Sequence, residues 1–160
     1  MGQITGQLKV FAHKSSGRPR PVDVRQVVTH AVALLEQRLQ SSGTQLLTRF
    51  PEKSLQAQCD PNRLEQVLIN LIGNALDAMA GHVAPRIEVG GSEHANMIRL
   101  EVRDHGPGLS EEALARLFEP FYTTKEAGEG LGLGLTISAG IVSDFGGTLE
   151  GGNHPEGGAL

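Results

Sequence analysis

The strongest structural constraint in this sequence is the run over residues 60–79, DPNRLEQVLINLIGNALDAM. An aspartate followed by proline is typical of a helix start, with Asp60 as the N-cap and Pro61 as the first helical residue. Apolar residues share one arc of the helical wheel, and they are Leu64, Val67, Leu68, Leu71, Ala75, Ala78 and Met79. An amphipathic helix has to bury its apolar side, so we expect this helix to pack against a sheet.

The same helix carries a polar stripe centred on Asn70. On a wheel of about 100° per residue, four polar residues lie within roughly 40° of it. They are Arg63, Gln66, Asn74 and Asp77. Asparagine disfavours helix interiors, and amide oxygens are hard, uncharged Mg²⁺ ligands that do not repel a polyphosphate. A solvated helix face explains most isolated Asn-x-x-x-Asn pairs, so the pair alone leaves both interpretations open.

A first glycine segment, Asp104-His105-Gly106-Pro107-Gly108, follows a predicted strand. A simple turn is the plainer explanation, because glycine and proline interrupt strands in many loops. An aspartate at a strand end can also accept a hydrogen bond from an exocyclic amine such as adenine N6. The adjacent glycines would allow the backbone to approach the ring closely.

A second glycine segment places glycine at alternate positions just before an apolar helical pattern. These glycines are Gly128, Gly130, Gly132 and Gly134. Free N–H groups at a helix N-terminus bind phosphate, and the helix dipole favours the negative charge. The spacing matches neither a P-loop nor a Rossmann fingerprint. A merely flexible loop is the alternative.

About twenty residues separate the two glycine segments, which is long enough for a mobile lid. They include Phe118, Phe121, Tyr122 and Lys125. Lys125 could reach a terminal phosphate, whereas the alternative is an ordinary exposed lysine. The aromatic side chains could simply anchor the loop to the core.

The remaining patterns predict an α+β protein. A helix over 24–41 is predicted from an Asp23 cap and a stop near Gly43. Its apolar stripe is Val24, Val27, Val28, Ala31, Leu34, Leu35 and Leu39. Other predicted elements are strands at 45–50 and 55–59, a hairpin of 86–90 and 97–104, helices at 110–118 and 135–144, and strands near 147–151 and 158–160. Because strands and helices do not alternate strictly, we expect a two-layer α/β sandwich.

The first residues are predicted to be the end of a helix followed by a linker. Ile4, Leu8 and Phe11 recur at helical spacing, and Pro19 and Pro21 then interrupt any helix. We assign residues 1–20 to this segment, with residues added to the native sequence as the alternative. Residues 21–160 form the main domain.

Composition limits the classes of function. A chain of 160 residues favours one domain, and a net charge of -4 gives no general attraction to nucleic acid or anionic lipid. Cys59 is the single cysteine, so an internal disulfide is impossible and a reducing compartment is expected. No apolar run approaches the roughly 20 residues that span a bilayer, and we expect a soluble fragment.

Taken in order, five segments resemble the N, G1, F, G2 and terminal boxes of histidine-kinase catalytic domains. They are NLIGNALDAM, DHGPGL, LFEPFYTTK, GEGLGLGL and GGTLEGGNHPEGGAL. The segment LKVFAHKSSGRPRPVDVRQVV is similar to the end of the dimerisation helix and linker in sensors of the nitrogen-regulation and C4-dicarboxylate-transport type. The chain is thus identified as a GHKL-superfamily catalytic domain that is truncated near its last strand.

This resemblance implies a Bergerat fold, in which helices cover one face of a mixed, mostly antiparallel sheet and a lid closes over ATP. It implies that Asn74 coordinates Mg²⁺, that Asn70 supports the phosphate site and that Asp104 binds adenine. Other implied nucleotide-binding residues are Asp77, Gly106, Gly108, Phe118, Thr123, Thr124, Lys125, Gly130, Leu131, Gly132, Leu133 and Gly134. Asn70 and Lys125 are the implied catalytic residues.

Two positions depart from the family pattern. Thr123 stands where many relatives have a phosphate-binding arginine, and Ala159 stands where related ATPases often have a hydroxyl near adenine. The lid contacts and one hydrogen bond near the base therefore differ from those of such relatives.

The implied activity is transfer of the γ-phosphoryl group of Mg·ATP to a histidine on a separate dimerisation domain. None of the chain's six histidines is followed by an acidic residue, as the acceptor usually is. Efficient autophosphorylation by the fragment is therefore not expected. Implied partners are that domain and a response regulator, not nucleic acid. The intact protein would be a homodimer, anchored in the inner membrane with this part in the cytoplasm, and the fragment a monomer.

Two other functions remain open from the sequence. One is an ATPase of the gyrase, Hsp90 or mismatch-repair type, in which a glutamate activates water where Asn70 stands here. The other is a nucleotide-binding regulatory module that has lost kinase activity.

Overall fold

The computed structural model describes residues 5–11, 20–95, 97–105 and 134–152. The helices of these ranges are α1 (Val24–Leu34), α2 (Glu36–Ser42), α3 (Pro61–Ala78) and α4 (Gly134–Asp144). The strands are β1 (Thr5–Phe11), β2 (Arg20–Asp23), β3 (Gln45–Arg49), β4 (Gln56–Cys59), β5 (Arg86–His94), β6 (Met97–Asp104) and β7 (Thr148–Gly152). The predicted helix at 110–118 and strand at 158–160 lie outside the described residues.

The main sheet has five strands in the order β3-β5-β6-β1-β7, and β2 pairs separately with β4. Strand β3 runs parallel to β5, whereas β5 and β6 form the predicted antiparallel hairpin. Buried and partly exposed residues alternate strictly along β6, as expected for a strand with one covered face. Helices α3 and α4 pack on the sheet, α1 and α2 pack against α3, and the predicted α+β, two-layer class is confirmed.

Helix α3 begins as predicted and lies at the centre of the helical layer. The Asp60 carboxylate accepts a hydrogen bond from the backbone N–H of Asn62 at 2.9 Å, and Pro61 occupies the first helical position. The buried side chains of this segment are Leu64, Val67, Leu68, Leu71, Ile72, Ala75, Leu76 and Met79. Burying a leucine or valine contributes about 1.5–3 kcal/mol, so this apolar face is what holds α3 to the sheet.

The single helix predicted over 24–41 is in fact two helices. Leu35 has φ −99° and ψ 3°, and α2 starts at the next residue. The break keeps Leu35 and Leu39 in the core but leaves Leu34 57% exposed, so its assignment to the buried stripe is wrong. The predicted stop is confirmed, because Gly43 adopts the left-handed φ of 66° at the end of α2.

The helix predicted at the start of the chain is wrong, because residues 5–11 form strand β1. This strand pairs antiparallel with β6 on one side and with β7 on the other. Backbone groups of two neighbouring strands need partners, and this long-range pairing outweighs the local helical spacing of Leu8 and Phe11. The division between residues 20 and 21 remains a prediction.

Within the described ranges, none of the helices combines the length and hydrophobicity needed to cross a bilayer.

Candidate functional site

The polar face of α3 lies beside two other elements that carry predicted site residues. Asn70 and Asn74 are half-buried one turn apart, and Asp77 is exposed at the end of the same face. Helix α3 packs against both α4 and β6. The amide pair therefore borders the core instead of facing open solvent.

A side-chain hydrogen bond joins this face to α4. Nδ2 of Asn70 donates to Oγ of Ser138 at 3.1 Å, and Ser138 is fully buried. Ser138 lies four residues after Gly134, the first residue of α4, which is a rise of about 6 Å along a helix. The start of α4, where a phosphate site is predicted, thus lies about one turn from the level of Asn70.

Asp104, the predicted adenine-binding residue, is the last residue of β6 and is fully buried. It lies opposite Ile87 of β5 and points to the covered face of the sheet, as Val102 does. A carboxylate in such a place requires polar partners, because burying a charge alone is costly. Its position at the strand end is the one that the sequence predicted.

Charged residues on the other face of the sheet hold the segment next to Asp104. Nη2 of Arg49 lies 3.0 Å from Oε1 of Glu88, and Nε2 of His105 lies 3.3 Å from Oε2 of Glu88. Nη1 of Arg103 is 3.8 Å from the same Oε2, and Nε of Arg86 is 3.3 Å from Nε2 of His105. His105 directly follows Asp104, so this cluster restrains the backbone at the end of β6.

The carboxylate at the centre of that cluster has a lowered pKa. Burial acts to raise the pKa of Glu88, but the hydrogen bond with His105 and the positive charges around it outweigh that effect. Glu88 therefore stays ionised to a lower pH than an ordinary glutamate. This cluster was not predicted from the sequence, although the alternating charges of β5 and β6 were its available signal.

Asp77 is held by a residue that the sequence analysis did not single out. Nη2 of Arg38, on α2, donates to Oδ1 of Asp77 at 2.8 Å. Neither Ser138 nor Arg38 was predicted as a site residue, because each lies on a segment whose pattern predicts only an amphipathic or apolar helix.

Ten predicted site residues lie outside the described part of the chain. They are Gly106, Gly108, Phe118, Thr123, Thr124, Lys125, Gly130, Leu131, Gly132 and Leu133. The structure therefore describes only Asn70, Asn74, Asp77, Asp104 and the backbone of Gly134 from the predicted site.

The described residues suit a magnesium ion that arrives with a polyphosphate. No group of three or more His, Cys, Asp or Glu side chains among them could hold a metal ion by itself. Two half-buried amides on one helix face offer neutral, hard oxygen donors instead.

A separate cleft of about 1040 Å³ lies at the other end of the sheet. Its lining includes Arg25, Phe50, Lys53 and Gly91, and none of the five predicted site residues that the structure describes. The guanidinium carbon of Arg25 lies 5.8 Å from the centroid of the Phe50 ring, and Nζ of Lys53 lies 3.2 Å from Oε2 of Glu93. We do not assign this cleft to the candidate site.

The sequence is similar to a curated sensor protein over its whole length. It is 40% identical over 161 residues to the C4-dicarboxylate transport sensor protein DctB of Pseudomonas aeruginosa, covering 100% of this chain and 26% of that protein. The chain thus spans about a quarter of the length of the curated relatives that it matches.

Two solved structures share the fold. The nucleotide-free catalytic domain of the histidine kinase ThkA has a TM-score of 0.79 at 27% identity, covering 89% of this chain and 92% of that chain. Full-length ShkA in complex with AMPPNP has a TM-score of 0.71 at 28% identity, covering 92% of this chain and 30% of that chain.

The profile of one protein family matches residues 59–160, which include α3, the β5–β6 hairpin, both glycine segments and α4. This range is well over half of the chain. The resemblance to histidine-kinase catalytic domains is thereby confirmed. The chain belongs to the histidine kinase-, DNA gyrase B- and HSP90-like ATPase family.

Proposed function

We propose that this chain is the catalytic domain of a sensor histidine kinase, which binds Mg·ATP and donates the γ-phosphoryl group to a histidine on a separate dimerisation domain. The observation that carries the proposal is the hydrogen bond between Asn70 and Ser138. It sets the amide face of α3, which is the polar face that carries Asn70 and Asn74, beside α4. The N-terminus of α4 is suited to phosphate. The AMPPNP complex of the structural relative ShkA supports a nucleotide in this fold.

In this proposal the residues of the chain position the nucleotide and compensate its charge. Asp104 binds adenine, aided by Gly106 and Gly108, and Asn74 with Asn70 faces the phosphates. Lid and loop positions complete the pocket: Phe118, Thr123, Thr124, Lys125, Gly130, Leu131, Gly132, Leu133 and Gly134. A Mg²⁺ ion held at Asn74 would neutralise phosphate charge. Positioning and charge neutralisation supply most of the catalysis in phosphoryl transfer.

The partners follow from the same proposal. The phosphoryl group would pass to a histidine of the protein's own dimerisation domain and then to an aspartate of a response regulator. The intact protein would act as a homodimer, anchored at a membrane with this domain on the cytoplasmic side. The similar protein DctB is named a transport sensor protein, which supports a role in signalling.

The rival ATPase function is not favoured. The relatives described above are a transport sensor protein, the histidine kinase ThkA and ShkA, and none carries a gyrase or chaperone name. At the position where such an ATPase has an activating glutamate, this chain has Asn70. An amide cannot accept a proton from water in the way that a carboxylate can.

Titration of the chain with a fluorescent ATP analogue, with and without Mg²⁺, tests the proposal. Asn74→Ala should weaken binding at least tenfold in the presence of Mg²⁺ and much less in its absence, since a metal-bound oxygen would be lost. Asn62→Ala is the matched control, because Asn62 is an exposed asparagine in the first turn of the same helix. Equal affinities for the two variants would contradict the proposed role of Asn74.

The transfer step needs the acceptor. The chain, mixed with the dimerisation helices of its parent protein and Mg·ATP, should label a histidine on those helices. Rapid ATP hydrolysis by the chain alone, abolished by Asn70→Ala, would instead support the ATPase. Tight ATP binding without any labelled histidine would support the inactive regulatory module.

A further inference from the structure

Arg38 crosses from α2 to the far end of the amide face of α3. Its Nη2 donates to Oδ1 of Asp77 at 2.8 Å. Its Nη1 lies so close to the backbone of α3 that a Cβ added at Gly73 would be only 3.3 Å from it. Gly73 is buried, and a methyl group there would make a tighter contact with the guanidinium than most Cβ atoms make.

Asp77 occupies a place where a negative charge is unfavourable in two ways. It is the second-last residue of α3, and the last turn of that helix contains no basic residue. The negative end of the helix dipole is at this terminus, so an unpaired carboxylate would cost stability. Asp77 also follows Asn74 by three residues, a spacing that places the two Cβ atoms about 5–6 Å apart on one helix surface.

The second effect bears on function. A polyphosphate bound at Asn74 would meet the charge of Asp77 at short range, and like charges repel with an energy that depends on the local dielectric. An opposite charge bonded directly to the carboxylate offsets this repulsion. Arg38 is placed to do so, and it also holds the carboxylate at a defined position through a charge-assisted hydrogen bond.

We propose that Arg38 is a positioning residue for the nucleotide site, which compensates the charge of Asp77 so that the phosphates of ATP can approach Asn74. This inference rests on the proposed function and deepens it. It assigns to α2, a helix that carries none of the predicted site residues, a part in phosphate binding. The effect is electrostatic and acts through Asp77, without direct contact between Arg38 and nucleotide.

A double-mutant cycle tests this assignment by competition against a fluorescent ATP analogue. Arg38→Gln should weaken Mg·ATP binding about fivefold at low ionic strength, and the loss should shrink as salt is added. Binding of adenosine, which carries no phosphate, should not change. Arg38→Lys, which keeps the charge, should retain most of the affinity. In the Asp77→Asn background, Arg38→Gln should have no further effect on Mg·ATP binding.

Lys53→Gln is the control for net charge. It removes one positive charge and one ion pair, with Glu93, at the other end of the sheet. Its affinity for Mg·ATP should equal that of the wild type. Thermal unfolding of every variant shows which of them are folded, and the titrations are made at a temperature below every unfolding midpoint.

The outcomes separate the two proposals. A wild-type chain that fails to bind Mg·ATP would overturn both. A wild-type chain that binds, with Arg38→Gln equal to it, would overturn only the role of Arg38. So would an equal loss of adenosine binding, which would indicate a general structural effect. An undiminished effect of Arg38→Gln in the Asp77→Asn background would also overturn it, because that result means direct contact with the phosphates.

Discussion

Asn70 of α3 and Ser138 of α4 are joined by a hydrogen bond of 3.1 Å between two helices that lie far apart in the sequence. The bond links the amide face to the helix that begins at Gly134. Because Ser138 is fully buried, its hydroxyl has little access to water, and the pairing with Asn70 satisfies a group that would otherwise be costly to bury. Two motifs separated by more than sixty residues are thereby held in one site.

Replacing the serine tests how far this bond positions Asn70. Ser138→Ala should lower the free energy of unfolding by about 1 kcal/mol, the usual net contribution of one hydrogen bond. It should also weaken Mg·ATP binding, because the orientation of the Asn70 amide is no longer restrained. Urea unfolding and nucleotide titration measure the two effects. Ser143→Ala, at an exposed position of the same helix, should change neither quantity.

The lowered pKa of Glu88 predicts a particular dependence of stability on pH. A carboxyl group whose pKa is lower in the folded protein stabilises the fold above its unfolded pKa, near 4.5, and this stabilisation is lost as pH falls through the folded pKa. Glu88→Gln should therefore unfold more easily than wild type at pH 7, by about 1–2 kcal/mol for a lost charged hydrogen bond. The difference should shrink in acid below pH 4.5.

Chemical unfolding from pH 7 to pH 3 measures this difference. Glu101→Gln is the control, because Glu101 lies on the same sheet face and pairs with Arg99 at 2.9 Å but is more exposed than Glu88. At pH 7, Glu101→Gln should lower the free energy of unfolding by less than Glu88→Gln does. A constant gap between Glu88→Gln and wild type across the pH range would contradict the lowered pKa.

The thiol of Cys59 should be inert in the folded protein. Burial and, to a smaller degree, the charge of Asp60 raise its pKa to about 11. At pH 8 the thiolate, which is the reactive form, is scarce, and the side chain is fully buried. Labelling with a thiol reagent should be slow in buffer and rapid in urea. Fast labelling of the native chain would contradict the burial of the thiol.

The raised pKa of Cys59 also predicts how stability depends on pH. Since the pKa is raised from 9.0 in the folded protein, stability that is present below that pH should be lost as pH rises towards 11.

Two adjacent glycines of β5 should respond very differently to substitution. A Cβ at Gly91 would lie 2.5 Å from Cε1 of Phe50, whereas at Gly90 the nearest atom is the backbone oxygen of Arg49 at 3.4 Å. Gly91→Ala should therefore displace the Phe50 ring and destabilise the protein by about 1–3 kcal/mol. Gly90→Ala should leave the free energy of unfolding almost unchanged. Thermal or urea unfolding of both variants decides, and equal stabilities would show that the ring moves without cost.

Local patterns predicted the parts of the structure that local physics controls. The cap at Asp60, the two faces of α3, the left-handed end at Gly43 and the strand that stops at Asp104 all appear where the sequence indicates them. Each depends on residues within one or two turns of chain. The break at Leu35 and the exposure of Leu34 were missed, because helical spacing alone does not show where packing interrupts a helix.

The sequence by itself determined the family, through five boxes in a fixed order, and the chemical types that meet a nucleotide: neutral amides, a strand-end aspartate and glycines before a helix. Only the tertiary structure decided which distant residues support them. Strand pairing made residues 5–11 a strand despite their helical spacing. Packing of α2 and α4 around α3 brought Arg38 to Asp77 and Ser138 to Asn70. Such contacts depend on how whole elements bury their apolar faces, and no local pattern encodes their partners.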